Sequence, residues 1–216
     1  MNKIEKIKEF KKSRISNKDE EILRLCNGMR VLDVGCVGQD RIYSKENWLH
    51  NRIKQIASEV VGVDIEKDGI EHLVGLGYHV KHIDELDNSD KYDAIVMGDV
   101  IEHIGDIEAF LNFYRKFLVE NGRMIITTPN PFSFRQVLHV FFYSGPSINP
   151  EHTCHLDPIT MLEVADRNKF KVVDFCWLRE QKAIVGFKNH FIHFVSSGFI
   201  RIRKFYSQNF FMVISN

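Results

Sequence analysis

Two short apolar segments, each followed by a turn and each carrying an acid, constrain the fold of this chain more than any other feature. The first is Val31–Cys36, which contains Asp33 and Gly35, and the second is Val60–Asp64. In an open parallel sheet, ligands bind at the carboxyl ends of neighbouring strands, and a glycine there lets the backbone approach the ligand closely because it has no Cβ. The pair therefore predicts a site for an adenosine-containing cofactor, with Asp64 accepting hydrogen bonds from ribose hydroxyls.

Apolar runs of strand length alternate with helical periodicity along most of the chain. The clearest helical stripe covers residues 107–118, where apolar side chains recur every three or four positions. Repeated strand–helix–strand alternation predicts a parallel α/β sheet. The predicted strands are residues 29–34, 59–64, 78–83, 92–97, 122–127, 171–177 and 210–214.

The length of 216 residues fits one domain with a full-sized core. The chain has no internal repeat, low-complexity tract or linker, so we expect a single domain over residues 1–216. Within it, residues 1–28 are predicted to form N-terminal helices, and residues 179–207 an insert between the last two strands.

The formal net charge is zero, so no global field favours nucleic acid or an anionic membrane. The local distribution is uneven, because residues 84–108 carry nine acids and one lysine, whereas residues 181–216 carry five bases and no acid. Four widely spaced cysteines without a Cys-x-x-Cys pair argue against a zinc ribbon and a disulfide framework. The charged N-terminal segment lacks the apolar core of a signal peptide, and no run reaches the roughly 18 apolar residues of a membrane span. We therefore expect a soluble cytoplasmic protein.

Five segments, taken together and in this order, resemble the class I S-adenosylmethionine (SAM)-dependent methyltransferases. The resemblance covers roughly residues 29–178 and is closest to the small-molecule and glycan branch with an acid-x-x-Glu-His motif after the fourth strand. It implies a Rossmann-like, mostly parallel sheet of seven strands with helices on both faces, an antiparallel last strand, and SAM as cofactor. The segments are Val31–Cys36, Val60–Asp64, Asp84, Tyr92–His103 and Gly122–Pro131.

The resemblance also implies a set of cofactor-binding residues. Asp64 would hold the ribose hydroxyls, Ile65 would pack on the adenine, and Asp84 would lie near the adenine amino group. Asp33 and Gly35 would line the amino-acid end of the cofactor. Met97, Gly98 and Asp99 would form the floor beside the sulfonium. The set is Asp33, Gly35, Cys36, Gly38, Asp64, Ile65, Asp84, Met97, Gly98 and Asp99.

The turn after the first strand departs from the family pattern Asp-x-Gly-x-Gly-x-Gly. Val37 and Gln39 occupy the second and third glycine positions, with Gly38 between them. Because valine resists positive φ, we expect a turn that differs from the usual one or uses Gly38 instead. The same residues argue against a nicotinamide site, which needs Gly-x-Gly-x-x-Gly.

Three histidines are candidate catalytic residues. Methyl transfer from a sulfonium is a direct displacement, which the protein assists by alignment and exclusion of water, and a hydroxyl nucleophile benefits from a nearby base. His103 follows the fourth strand, and His152 and His155 lie in a loop expected over the same edge. The alternatives are a capping role for His103 that only orients Glu102, and structural loop roles for His152 and His155.

A metal site is the less favoured hypothesis for the same region. Asp99, Glu102 and His103 resemble the cluster that binds a divalent ion in ubiquinone-pathway O-methyltransferases and in small-RNA 2′-O-methyltransferases, where His152 or His155 could supply the distant histidine. Such oxygen and imidazole ligands suit Mg²⁺, Mn²⁺ or Zn²⁺. Many metal-free relatives carry the same motif, so SAM without a metal is the favoured interpretation.

The insert at residues 179–207 is rich in phenylalanine, isoleucine and bases. It is interpreted either as a lid over an apolar acceptor, as a peripheral membrane contact through residues 188–204, or as a helical cap that packs on the sheet or pairs two subunits of a homodimer. The packing role is favoured because aromatic stripes usually form core.

Together these features predict transfer of a methyl group from SAM to a hydroxyl of a small molecule or glycan, for which a lipid-linked or cell-surface polysaccharide intermediate is preferred. Two alternatives stay open: a metal-dependent RNA 2′-O-methyltransferase, and a non-catalytic SAM-binding regulatory module. The RNA hypothesis is weakened, and a DNA partner is not expected, because no strong basic track lies near the site.

Overall fold

The computed structural model describes residues 3–38, 48–179 and 187–216. The strands in these ranges are β1 (Ile15–Ser16), β2 (Arg30–Val34), β3 (Glu59–Asp64), β4 (Val80–His82), β5 (Tyr92–Gly98), β6 (Leu118–Pro129), β7 (Lys171–Leu178) and β8 (Asn209–Ser215). The α-helices are α1 (Lys3–Lys12), α2 (Lys18–Cys26), α3 (Leu49–Lys54), α4 (Lys67–Gly75), α5 (Ile107–Arg115), α6 (Phe134–Tyr143), α7 (Pro158–Arg167) and α8 (Phe187–Ile202).

Within the described ranges, these strands form one eight-stranded sheet in the order β1-β7-β8-β6-β5-β2-β3-β4. β2 lies between β3 and β5 and is parallel to both. β8 lies antiparallel between β6 and β7. The predicted Rossmann-like, mostly parallel sheet with an antiparallel last strand is therefore confirmed.

Two details of the predicted elements differ from the structure. The sheet has one strand more than predicted, because β1 pairs in parallel with β7 and two residues are too short to show a strand period. The apolar stripe of residues 107–118 is not one helix, since α5 ends at Arg115. Leu118 instead begins β6 and pairs with Tyr92 of β5.

Side chains alternate between the two faces of β2, as the pleat of a strand requires. Leu32 and Val34 enter the larger apolar core, whereas Val31 enters a second core on the face covered by α2 and α3. Asp33 lies between Leu32 and Val34 in the strand and therefore shares the face of Val31. The alternation along β2 therefore directs the Asp33 side chain toward the face covered by α2 and α3.

The N-terminal segment packs beside β7 and supplies β1, the edge strand at that end of the sheet. The Phe10 ring lies 3.9 Å from the Phe175 ring between centroids, and the Trp177 indole donates a hydrogen bond to the Phe10 carbonyl. Arg14 donates to both Glu21 and Asp174. The hydrogen bond from Arg14 is the main cause that lowers the pKa of Glu21 to about 2.

The helical insert between β7 and β8 is confirmed for the part that the structure describes. Residues 180–186 of the predicted insert lie outside the described residues. α8 packs against α6, with the Phe134 and Phe199 rings stacked at 4.1 Å between centroids. Among the described residues, no helix is long and apolar enough to cross a membrane. The single-domain organisation over residues 1–216 stays a prediction.

Candidate active site

The turn after β2 lies at the carboxyl edge of the sheet and uses glycine twice in the left-handed region. Gly35 has a φ of +75°, and a Cβ at this position would lie 2.8 Å from Val100 Cγ2. Gly38 has a φ of +65° with no atom within 4 Å of the place a Cβ would take. Glycine adopts both conformations without steric cost. The expectation that Gly38 serves in place of a missing family glycine agrees with this geometry, whereas Gln39 lies outside the described residues.

The carboxylate of Asp64 joins this turn to the end of β3. Its Oδ2 accepts a hydrogen bond of 2.9 Å from the Val37 amide. Its Oδ1 accepts hydrogen bonds from the amides of Ile65 at 2.8 Å and Glu66 at 3.1 Å. A carboxylate has about four acceptor positions, so this half-buried group keeps capacity for a ribose hydroxyl. Ile65 beside it is 74% exposed at the sheet edge, as a residue that packs on an adenine requires.

Val37, at the second glycine position of the family pattern, turns its side chain away from the cofactor edge. The side chain is buried in an apolar cluster with Ile70 and Leu73 of α4. Gly69 makes room for it, because a Cβ on Gly69 would lie 2.4 Å from Val37 Cγ1. A valine in the turn is therefore compatible with cofactor binding, since the bulk lost at Gly69 compensates for the bulk gained at Val37.

The side chains of Asp33 and Cys36 are buried beneath the turn. The Asp33 carboxylate is buried and lies 2.9 Å from Nδ1 of His50 on α3. The Cys36 thiol is also buried, which raises its pKa, and the Cys36 carbonyl accepts a hydrogen bond from the Trp48 indole. Their predicted contact with the cofactor stays a prediction, and this placement favours an indirect role through the backbone of the turn.

The remaining predicted cofactor residues lie at or just after the carboxyl ends of β4 and β5. Asp84 follows β4 in a short helical turn, with a side chain that is 86% exposed. The Met97 side chain is fully buried in the core, so only its backbone reaches the edge. Gly98 closes β5, and Asp99 after it has a φ of +57°, which is uncommon for a residue with a side chain.

Lys18 of α2 is a site residue that the sequence motifs did not indicate. Its Nζ lies 2.8 Å from Asp99 Oδ2, and Thr127 Oγ1 donates a 2.8 Å hydrogen bond to Asp99 Oδ1. Burial alone would lower the pKa of Lys18, but the neighbouring Asp99 carboxylate raises it. Nothing local distinguishes Lys18 from other lysines near the N-terminus, and only the folded chain brings it to the end of β5.

A pocket of about 470 Å³ lies beside Asp99 at the ends of β5 and β6. It brings together the three predicted catalytic histidines, His103, His152 and His155. Of the predicted cofactor residues, Asp99 borders this pocket. The pocket therefore adjoins the predicted cofactor edge at Asp99. Further lining residues include Lys18, Glu102, Asn130, Arg135, Ile148, Asn149 and Arg179.

Backbone hydrogen bonds hold the histidine loop over the end of β5. The Glu102 carbonyl accepts from the amides of Thr153 at 2.9 Å and Cys154 at 3.2 Å. As a result the His103 and His152 rings lie 4.8 Å apart between centroids. His155 is more distant, with its ring 6.3 Å from that of His152.

The hydrogen bond of His103 defines which ring nitrogen carries a proton. Nδ1 of His103 lies 3.2 Å from the Glu151 carbonyl oxygen, and a carbonyl oxygen only accepts. Nδ1 therefore carries a hydrogen, and Nε2 is the nitrogen left to take up a proton from an acceptor. This tautomer is the one a general base at the pocket wall needs.

Glu102 is buried beneath the histidines. The Thr128 hydroxyl donates a 3.0 Å hydrogen bond to its Oε2. Burial, followed by the nearby Asp99 carboxylate, raises the pKa of Glu102 to about 7. A bound cation would oppose this shift by favouring the charged form.

Three side chains of the described chain form a group that could hold a metal ion. Ligand atoms of Glu102, His103 and His152 all lie within 4.8 Å of one another. The group contains Glu102, His103 and one of the two loop histidines of the metal hypothesis, but it lacks Asp99, which pairs with Lys18 instead. The turn, Asp64 and the edge residues fit an adenosyl cofactor, whereas this group lines the neighbouring pocket.

The sequence model of the methyltransferase-domain family matches residues 8–174. The chain belongs to this family of methyltransferase domains. Solved structures share the fold: a SAM-dependent methyltransferase from Archaeoglobus fulgidus has a TM-score of 0.57 at 20% identity, covering 91% of this chain and 90% of that chain. One from Clostridium acetobutylicum has a TM-score of 0.58 at 12% identity, covering 92% and 90%.

Curated relatives carry the name ubiquinone biosynthesis O-methyltransferase. The one from Pelagibacter ubique is 29% identical over 132 residues, which are 57% of this chain and 49% of that protein. The mitochondrial one from Homo sapiens is 26% identical over 163 residues, which are 67% of this chain and 42% of that protein. The chain thus spans less than half the length of these two relatives.

A substitution at Gly69 tests the fit between Val37 and α4. We expect Gly69→Ala to displace the turn, with a cost of about 1–3 kcal/mol, because overpacking a buried contact forces neighbouring atoms to move. SAM affinity, measured by titration calorimetry, and thermal stability should both fall. Adding Val37→Ala to the same chain should restore most of the lost SAM affinity.

Gly75→Ala is the matched control, since it lies in the same helix and has no atom within 4 Å of the added Cβ. It should leave both quantities unchanged. Wild-type SAM affinity in Gly69→Ala would contradict the proposed packing of the turn.

Proposed function

We propose that this chain transfers the methyl group of SAM to a hydroxyl oxygen of a small-molecule acceptor held in the pocket beside Asp99. The observation that carries the proposal is the meeting of His103, His152 and His155 in that pocket, next to the cofactor edge. The names of the curated relatives support oxygen as the methylated atom. They lend no support to a glycan acceptor.

The residues of the cofactor edge are proposed to bind SAM and to orient it toward the acceptor. When bound, SAM supplies an electrophilic methyl group on a sulfonium. Asp64 would hold the ribose of SAM, Gly35 in the turn would line its amino-acid end, and Asp99 at the end of β5 would supply negative charge beside the sulfonium. Because opposite charges attract more strongly away from bulk water, the acids that flank this strand favour a cationic cofactor.

His103 is proposed as the base that takes the acceptor proton. The Glu151 carbonyl fixes the hydrogen on Nδ1, which leaves Nε2 to receive the hydroxyl proton as the oxygen attacks the methyl group. His152 packs edge-on against the His103 ring and keeps it in place. His155, farther out, is assigned to acceptor contact.

Four interpretations of the sequence stay predictions. Two concern activity, namely the RNA 2′-O-methyltransferase and the regulatory SAM-binding module, and two concern association, namely a homodimer and a membrane contact of residues 188–204. A regulatory module would bind SAM without turning over any acceptor, so a turnover assay separates it from the enzyme.

Replacing His103 tests the assignment of the base. We expect His103→Gln to lower kcat by about 10²–10⁴, the usual contribution of a positioned base, while the Kd for SAM stays unchanged. Formation of S-adenosylhomocysteine with a panel of phenols and alcohols measures kcat, and calorimetry measures the Kd. His79→Gln, at an exposed histidine after α4, is the matched control and should behave as wild type. An unchanged kcat in His103→Gln excludes His103 as the base.

A second candidate is metal-assisted methyl transfer, favoured by the group of Glu102, His103 and His152. Chelation distinguishes it from base catalysis. We expect turnover to persist after dialysis against a chelator, because a histidine base takes the acceptor proton without a metal. Turnover that is lost on chelation and restored by Mg²⁺, Mn²⁺ or Zn²⁺ would assign the group to a metal instead.

A further inference from the structure

α6 exposes apolar side chains that the rest of the described chain does not cover. No residue of this ten-residue helix is buried, although its sequence includes valines and phenylalanines. Phe141 is 79% exposed, and Val137, one helical turn earlier, is 53% exposed. Contiguous exposed apolar surface of this kind marks an interaction site in a folded protein.

α8 packs beside α6 and has exposed apolar side chains of its own. Phe134 of α6 stacks on Phe199 of α8, so the two helices lie side by side. On α8, Phe194 is 78% exposed and Ile202 is 70% exposed, and their spacing of eight residues places them on one side of the helix. We call the exposed apolar side chains of these two neighbouring helices, taken together, the α6–α8 face. They are Val137, Phe141, Phe142, Phe194 and Ile202.

The two sequence segments that carry the α6–α8 face contain bases and no acid. The chain as a whole is neutral, yet residues 131–150 and 181–216 contain no acid. Exposed bases lie at the end of α8, where Arg201 follows Phe194 by seven residues and therefore shares its side of the helix. Arg203 is likewise exposed. This combination of apolar and basic groups complements a surface that is apolar inside and negatively charged outside.

We propose that the α6–α8 face docks on an anionic lipid bilayer, with the exposed phenylalanines in the interface and the arginines at the headgroups. Helices with aromatic residues on one side and bases nearby bind in the plane of such an interface. A spanning arrangement is not involved, since no described helix is long and apolar enough to cross the bilayer. Of the available occupants, a bilayer satisfies both the apolar area and the absence of acids.

Docking would place the mouth of the pocket at the bilayer surface. Arg135 and Gln136 at the start of α6, and Ile148 after it, line the pocket. An acceptor dissolved in the bilayer would then enter beside the α6–α8 face without crossing bulk water. This consequence rests on the proposed function, whereas the docking itself does not.

Vesicle co-sedimentation of the intact chain tests the proposal. We expect binding to vesicles of phosphatidylcholine mixed with phosphatidylglycerol, weaker binding to phosphatidylcholine alone, and weakening by added salt because salt screens exposed charges. The double variant Phe141→Ser/Phe194→Ser should lose affinity for the mixed vesicles by about tenfold or more, since interfacial binding scales with buried apolar area. Arg201→Ser/Arg203→Ser should lose the preference for the anionic lipid.

Val74→Ser/Leu76→Ser is the matched control, because both residues are also about half exposed, at 52% and 56%, but lie at the end of α4. This variant should bind as wild type, and thermal unfolding of every variant confirms that it is folded. The proposal is overturned if the intact chain binds neither vesicle, or if the phenylalanine variant binds like the intact chain. It is also overturned if the intact chain binds no vesicle but forms a dimer, and if the phenylalanine variant is a monomer. The assay needs neither SAM nor an acceptor, so its result is independent of whether methyl transfer is found.

Discussion

The hydrogen bonds of the Asp64 carboxylate organise the cofactor edge of this protein. One oxygen holds the Val37 amide of the turn after β2, and the second oxygen holds the first two amides after β3. The carboxylate thereby connects the turn after β2 with the first residues after β3, and we call these two connected loops the rim. Hydrogen bonds to a charged group are stronger than neutral ones, so the acid both shapes the rim and offers its remaining capacity to a ligand.

The rim depends on what lies beneath it. The Trp48 indole holds the Cys36 carbonyl, and His50 meets the buried Asp33 carboxylate from α3. Nε2 of His50 is buried with no hydrogen-bond partner among the described residues. The first acid of the motif thus supports the turn from inside the fold, while Asp64 does so from the edge.

The parts of the fold and site that could be predicted are those encoded by local pattern. The succession of strands along the chain, the glycine turn and the position of Asp64 follow from apolar periodicity and from acids at strand ends. The inward direction of Asp33 follows from strand register, which the motif alone does not reveal. Two contacts join residues that are far apart in the sequence, so no local pattern predicts them. They are the contact of Lys18 with Asp99 and that of Gly69 with Val37. The histidines show the same contrast. His103 lies five residues after β5 and follows from the local motif. Its proximity to His152 depends on the Glu102 carbonyl, which accepts hydrogen bonds from two amides of a loop some fifty residues later.

Titration of the intact chain with SAM tests most directly whether this edge of the sheet is a SAM site organised by Asp64. We predict one SAM bound per chain, and binding by Asp64→Ala that is weaker by on the order of 1–3 kcal/mol, the cost of losing a charged hydrogen-bond partner. Thermal unfolding of Asp64→Ala ensures that folded protein is compared. The absence of SAM binding by the intact chain, or equal affinity in Asp64→Ala, would contradict this assignment.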